Sequence, residues 1–204
     1  SFRITEKNKA SVSWSVASKS RHFEVLCTGK LGFDGLADYK IEVRSLGEVA
    51  VKDIRLEVPY TSYAADYMMG LGHKGGFRPD SVINWRWNVD KHQDKIWMGN
   101  INAGLNFCFK DENYNRPLVN IYYALGKLNL PASWGNANKG GIDILPEKDG
   151  TVLLKAYSGE RRMQRGETLH YNFNMLVTPV KPLDLKGLAE NRFYHSNSDV
   201  SAGY

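Results

Sequence analysis

Hydrophobic and polar residues alternate along much of this chain. In DYKIEVRS, Tyr39, Ile41 and Val43 point one way while Lys40, Glu42 and Arg44 point the other, as in a strand with one buried face and one wet face. The longest such run is TLHYNFNMLVT. It sets Leu169, Tyr171, Phe173, Met175 and Val177 against His170, Asn172, Asn174 and Thr178. EVAVKDIRLEVPY alternates through Val49 and Val51, slips at Lys52-Asp53 and resumes at Ile54, Leu56 and Val58, a slip that a β-bulge within one strand would explain. Shorter strand candidates include SVSWSVA, HFEVLCT, INWRWNV, KIWMGNI, GLNFCFK, LVNIYY, GGIDIL and TVLLKAYS, with turn chemistry between many of them at Asp34-Gly35, Asp149-Gly150 and KDENYNRP. No amphipathic helix of ordinary length intervenes. The expected fold is all-β, a mainly antiparallel β-sandwich with a large or super-sandwich as a variant and a barrel as the alternative closure.

A chain of 204 residues suits one domain plus a tail. The expected division is a sandwich over 1–180 and a linker over 181–204, because Pro179 and Pro182 end the last strand pattern and a polar HSNSDVSAGY follows a short helical turn near LKGLAENRF. The start at Ser1 suggests a piece of a longer protein. A net charge of +5 raises the question of an acidic partner. Its densest cluster, GERRMQRGE, carries its own glutamates and no interleaved aromatics, so it reads as a polar turn and nucleic acid is not expected. LVNIYYALG is too short to span a bilayer.

The loop MGLGHKGG lacks the GK[ST] ending of a phosphate-binding loop and does not match GxGxxG, so its glycines read as structural. His22, His73, His92, His170 and His195 show no metal-ligand spacing, and Cys27 and Cys108 sit alone in apolar runs. No metal or cofactor is expected. Two carboxylate arrangements could serve acid–base chemistry: His92 with Asp94, and the adjacent pair Asp111-Glu112. Their neighbours favour loop and turn roles, and no catalytic residue is assigned.

NWRWNVDKHQDKIWMGN concentrates aromatic rings. Trp85 and Trp87 share a face of one strand and Trp97 begins the next, an arrangement expected to form a β-hairpin with an aromatic patch. Packing of these rings is favoured, since tryptophan is usually largely buried. The alternative is a flat platform for sugar rings.

LGFDGLADYKIEV, YMMGLGHKGGFRP, IWMGNINAGL, NLPASWGNANKGGIDI, YSGERRMQRGETLHYNFNMLVTPVKPLD and RFYH, in that order, resemble the N-terminal β-sandwich domain that precedes the catalytic barrel in bacterial proteins related to glycoside hydrolase family 123. The resemblance spans about Leu31 to His195. It implies that the chemistry, which looks substrate-assisted through an Asp-Glu pair on the barrel, lies beyond Tyr204 and that Asp111-Glu112 is a different pair. It also implies an extracytoplasmic protein, at the periplasm or cell surface, whose cysteines are either buried or paired. The leading expectation is a non-catalytic domain that buttresses the barrel and shapes one wall of its cleft. The competing one is a carbohydrate-binding module using Trp85, Trp87, Trp97 and Trp134 as stacking rings, with Arg78, Asn100 and Asn136 on sugar hydroxyls. The third, glycosidase activity in the sandwich itself, would use His92, Asp94 or Asp111-Glu112.

Overall fold

The computed structural model describes residues 1–87, 95–113, 131–180 and 184–190. The first strands are β1 (Phe2–Lys7), β2 (Ser11–Lys19), β3 (Phe23–Gly32), β4 (Leu36–Ser45), β5 (Val49–Val51), β6 (Arg55–Tyr60) and β7 (Tyr67–Gly70). They are followed by β8 (Val82–Trp85), β9 (Lys95–Gly99), β10 (Gly104–Lys110), β11 (Gly141–Pro146) and β12 (Val152–Tyr157). The last are β13 (Arg161–Met163), β14 (Thr168–His170) and β15 (Asn172–Thr178). Helical structure among the described residues is limited to the 3₁₀ turns Ser62–Ala65 and Asn136–Asn138, α1 (Ala132–Gly135) and α2 (Leu185–Glu190).

The fold is the expected antiparallel sandwich. A nine-stranded sheet runs β1-β2-β3-β4-β15-β10-β9-β7, with β14 also on β4, and faces a four-stranded sheet β6-β12-β11-β8. Alternation explains the core between them. Ile96, Met98, Phe107, Phe109 and Phe173 come from the large sheet, and Ile142, Ile144, Leu154 and Ala156 from the small one. Each packs as an apolar side chain on the dry face of its strand.

Strand registers extend that dry face across the large sheet in continuous rows. One row is Ile4, Trp14, Gly29, Tyr39, Phe173 and Phe109, and another is Phe2, Val16, Cys27 and Ile41. The Trp14 ring lies over Gly29, where a Cβ would stand 2.3 Å from its carbons, and meets Tyr39 edge-on at 5.7 Å. Glycine is required there because the neighbouring strand's indole occupies the side-chain space.

Four local readings are corrected. The slip at Lys52-Asp53 is a crossing between assemblies and not a bulge: β5 pairs with β13, whereas β6 pairs with β12 in the small sheet. Asp53 fixes the crossing by accepting from the backbone N–H groups of Ser158 (3.2 Å) and Gly159 (2.8 Å). INWRWNV and KIWMGNI do not form a hairpin, since β8 joins β11 in the small sheet and β9 joins β10 and β7 in the large one. GERRMQRGE is partly a strand, β13, because Met163 supplies a fully buried side chain. The run Thr168–Thr178 breaks at Tyr171, where the Asn172 side-chain oxygen accepts from the Ile41 N–H at 3.0 Å in place of a ladder carbonyl.

Candidate functional site

The tryptophans do not assemble into one platform. Trp134 is 2% exposed and Trp87 is 7% exposed. Trp134 meets Phe109 at 5.2 Å and Tyr171 at 4.9 Å, both edge-on, and its indole N–H donates to the Asn172 carbonyl at 3.0 Å. Trp87 packs edge-on against Trp85 and Phe109. Trp85 is half-buried against this core and donates to the Leu71 carbonyl at 3.0 Å. These rings are interior groups, so the alternative that set Trp87 and Trp134 against a sugar is the reading that their burial corrects. Separation of β8 and β9 into different sheets is the physical reason: it turns Trp85 and Trp87 inward, while Trp97 lies on the outer face of the large sheet.

The polar candidates are already engaged within the fold, two by backbone carbonyls and one by a carboxylate. Asn136 donates to the Ser158 and Glu160 carbonyls at 2.8 and 3.0 Å. Arg78 donates to the Ala65, Pro79 and Asp80 carbonyls. Asn100 donates to an Asp66 carboxylate oxygen at 2.6 Å. His92 and Asp94 lie outside the described residues. Asp111 is 8% exposed, and its oxygens accept from the N–H groups of Asn113 (3.0 Å) and Ala132 (2.5 Å), which ties β10 to the start of α1. Glu112 is exposed. Cys27 and Cys108 are not joined in a disulfide; register puts them on opposite faces of the large sheet. Among the described residues no group of three His, Cys, Asp or Glu is placed to hold a metal ion, and no helix is long and apolar enough to cross a membrane.

Trp97, Arg78 and Asn100 are nevertheless neighbours of a single edge. Trp97 covers Gly99, whose Cβ would stand 2.7 Å from the ring, and its N–H donates to the Thr178 hydroxyl at 2.9 Å. Beside it on the register are Met69 and the ring of Tyr67, which stacks on Phe77 at 5.1 Å. Phe77 is 82% exposed. These aromatics were missed in the sequence because they sit at a glycine-rich loop, outside any long alternating run.

Around the same edge the two sheets part. A groove of about 770 Å³ opens between the end of β6 and the paired ends of β10 and β15. Leu105 and Val177, directly opposed across the strands, line it together with Tyr60, Thr61 and Asn102. Val177 is 51% exposed although it belongs to the face that buries Phe173. The Tyr60 hydroxyl is buried and has no hydrogen-bond partner among the described residues.

Burial pushes the Tyr60 phenol well above the ordinary tyrosine range. Tyr171 is also raised, chiefly by burial and against the hydrogen bond it donates to Ser158. A folded phenol that keeps its proton where the unfolded one releases it stabilises the fold below the unfolded pKa of about 10, and this stability is lost as pH rises through the folded pKa. Urea unfolding midpoints should therefore decline above about pH 10, and less steeply in Tyr60→Phe. A midpoint with the same alkaline slope in both proteins would contradict the assignment to Tyr60.

The solved structures that this chain resembles are remote. A galactose mutarotase related enzyme from Lactobacillus acidophilus is 9% identical, with 89% of this chain and 72% of that chain covered at a TM-score of 0.42. The Slr1438 protein from Synechocystis sp. PCC 6803 is 8% identical, with 86% and 65% covered at a TM-score of 0.41. Likeness at this level does not bear on what this chain does. No curated protein matches it in sequence. Residues 1–179, however, match the family described as glycoside hydrolase 123, third domain. The match takes in both sheets and every strand described above, and the chain belongs to that family, the third domain of glycoside hydrolase 123.

Proposed function

We propose that the domain is a non-catalytic scaffold of a multidomain glycoside hydrolase, buttressing a catalytic barrel in the same polypeptide and forming one wall of its cleft. In this reading residues 181–204 lead on toward the barrel, which follows the sandwich, and the whole protein works outside the cytoplasm. One observation supports it above the others: the large sheet is wider than the sheet that backs it. The rows that begin on the core at Phe173 and Ile41 continue onto β2 and β1, where Phe2 is 67% and Ile4 is 52% exposed and Val12, Trp14 and Val16 are half-buried. An apolar face continuous with a core, left open at one end, marks an interaction surface. A family numbered as a third domain implies further domains in the same protein, and one of these is the natural cover.

Hydrogen–deuterium exchange tests this. Amides of β1–β3 should exchange at least tenfold more slowly in the full-length protein than in this chain alone, since covering the face suppresses local opening. Ile4→Lys should abolish that difference and leave the unfolding midpoint of the isolated chain unchanged. Equal exchange in the two contexts would remove the buttress role from this face.

A further inference from the structure

We propose that the groove between β6 and the β10–β15 ends is a binding site for one or two units of a neutral saccharide. The choice of a saccharide rests on the glycoside hydrolase reading above; the site itself rests on its lining. First, its size of about 770 Å³ lies in the range of small-ligand sites, roughly 300 to 1,000 Å³. Second, among the described residues no Asp, Glu, Lys, Arg or His lines it, although charged residues make up 24% of the chain. A phosphate, sulfate or uronate would enter without a counter-charge and lose its hydration.

The remaining lining matches the two-sided chemistry of a pyranose. Leu105 and Val177 form an apolar floor, flanked by Pro59 and Pro179. The C–H face of a sugar ring fits such a surface. The wall at Gly104 is bare backbone, since a Cβ there would meet the Thr178 hydroxyl oxygen at 2.8 Å and the Gly99 Cα at 3.0 Å. Thr61 and Asn102 supply neutral polar groups at the rim. Tyr60 is 4% exposed, and its hydroxyl has no partner among the described residues. A buried hydroxyl without a partner is unfavourable, and a sugar hydroxyl would both donate to it and accept from it. A purely apolar ligand would leave the Tyr60 hydroxyl without a partner, while Asn102 already donates to the Tyr63 hydroxyl at 3.3 Å; a neutral polyol with one apolar face suits the apolar floor and the polar rim together.

The test titrates the isotopically labelled 204-residue chain with lactose, cellobiose and N,N′-diacetylchitobiose, and with glucuronic acid as a charged control, following backbone amide shifts. Saturable changes at Asn102, Leu105 and Val177 with a dissociation constant of about 1 mM for at least one neutral sugar are expected, typical of a small, shallow site. Val177→Trp, which fills the groove from an exposed position, should abolish them. Tyr60→Phe should weaken binding roughly five- to tenfold, the loss of one hydrogen bond. Dispersed spectra away from the groove verify the fold of both variants. Absence of shifts with all three sugars overturns the proposal, as do shifts that survive Val177→Trp or appear equally with glucuronic acid. Groove amides that respond to deletion of residues 181–204, and to no sugar, assign the groove to the chain itself and also overturn it. The domain-docking reading stands or falls separately, because its exchange test reads β1–β3 in the full-length protein.

Discussion

Replacing Trp134 with alanine should cost about 4 kcal/mol of stability, near the upper end of large-to-small core substitutions. The ring is 2% exposed and joins α1 to both neighbouring strands of the large sheet. Its faces and edges meet Phe109 on β10 and Tyr171 between β14 and β15. Its N–H satisfies the carbonyl of Asn172, the residue whose side chain replaces a ladder bond to β4. Removing the indole leaves a cavity and strips a buried carbonyl of its donor. Trp134→Phe keeps most of the ring contacts and loses only the hydrogen bond, so about 1–2 kcal/mol is expected. Urea denaturation with an unchanged m-value is the measurement. A loss under about 1 kcal/mol for the alanine variant would place the ring outside the core and restore it as a candidate for sugar stacking.

The contrast between that residue and Trp97 indicates what alternation in the sequence conveys. Period two fixes which residues of a strand share a face, and it does so correctly for Tyr39, Ile41 and Val43 and for Leu169, Tyr171 and Phe173. It does not say which sheet a strand joins. The turn Asp34-Gly35 leads to a true strand pair, β3 with β4, but the connection after Trp87 carries the chain from the small sheet to the large one. A hairpin and a crossing have the same local pattern, because both need two alternating segments and a polar link. The aromatic patch of NWRWNVDKHQDKIWMGN dissolved for that reason.

Side-chain-to-backbone bonds were equally hidden. Asn136, Arg78 and Asn100 are chemically suited to sugar hydroxyls, yet the first two donate to carbonyls that the fold leaves without ladder partners. Asn136 does so from a left-handed conformation at φ 42°, followed by Ala137 at 51° and Asn138 at 69°. Composition marks NANKGG as a loop but gives no sign that three successive residues adopt that conformation. The groove was illegible for a related reason. Tyr60, Leu105 and Val177 are ordinary strand residues, and only the divergence of the two sheets at their ends makes them a surface.

Gly140→Ala should cost about 3 kcal/mol, as overpacking against fixed atoms. The left-handed run doubles the chain back so that Gly140 lies beneath α1, donating its N–H to the Gly135 carbonyl at 3.1 Å. A Cβ at Gly140 would stand 1.8 Å from the Trp134 carbonyl oxygen, 2.9 Å from its carbon and 3.0 Å from the Tyr157 carbonyl oxygen. All three obstacles are backbone, so a rotamer change cannot relieve them. One side is α1, which carries the buried Trp134 ring, and the other is the end of β12 in the small sheet. Relief requires moving α1 outward and pulling Trp134 away from Phe109 and Tyr171, so the penalty at Gly140 is a measure of how firmly the ring is held. Gly47→Ala is the control: a Cβ there meets nothing within 4 Å, and a change within about 0.5 kcal/mol is expected. Because both substitutions act on α1, Gly140→Ala combined with Trp134→Ala should cost less than the sum of the two, as residues that share a contact are not additive. Full additivity would mean that α1 yields without disturbing the ring, and that the sandwich closes over Trp134 more loosely than its burial indicates.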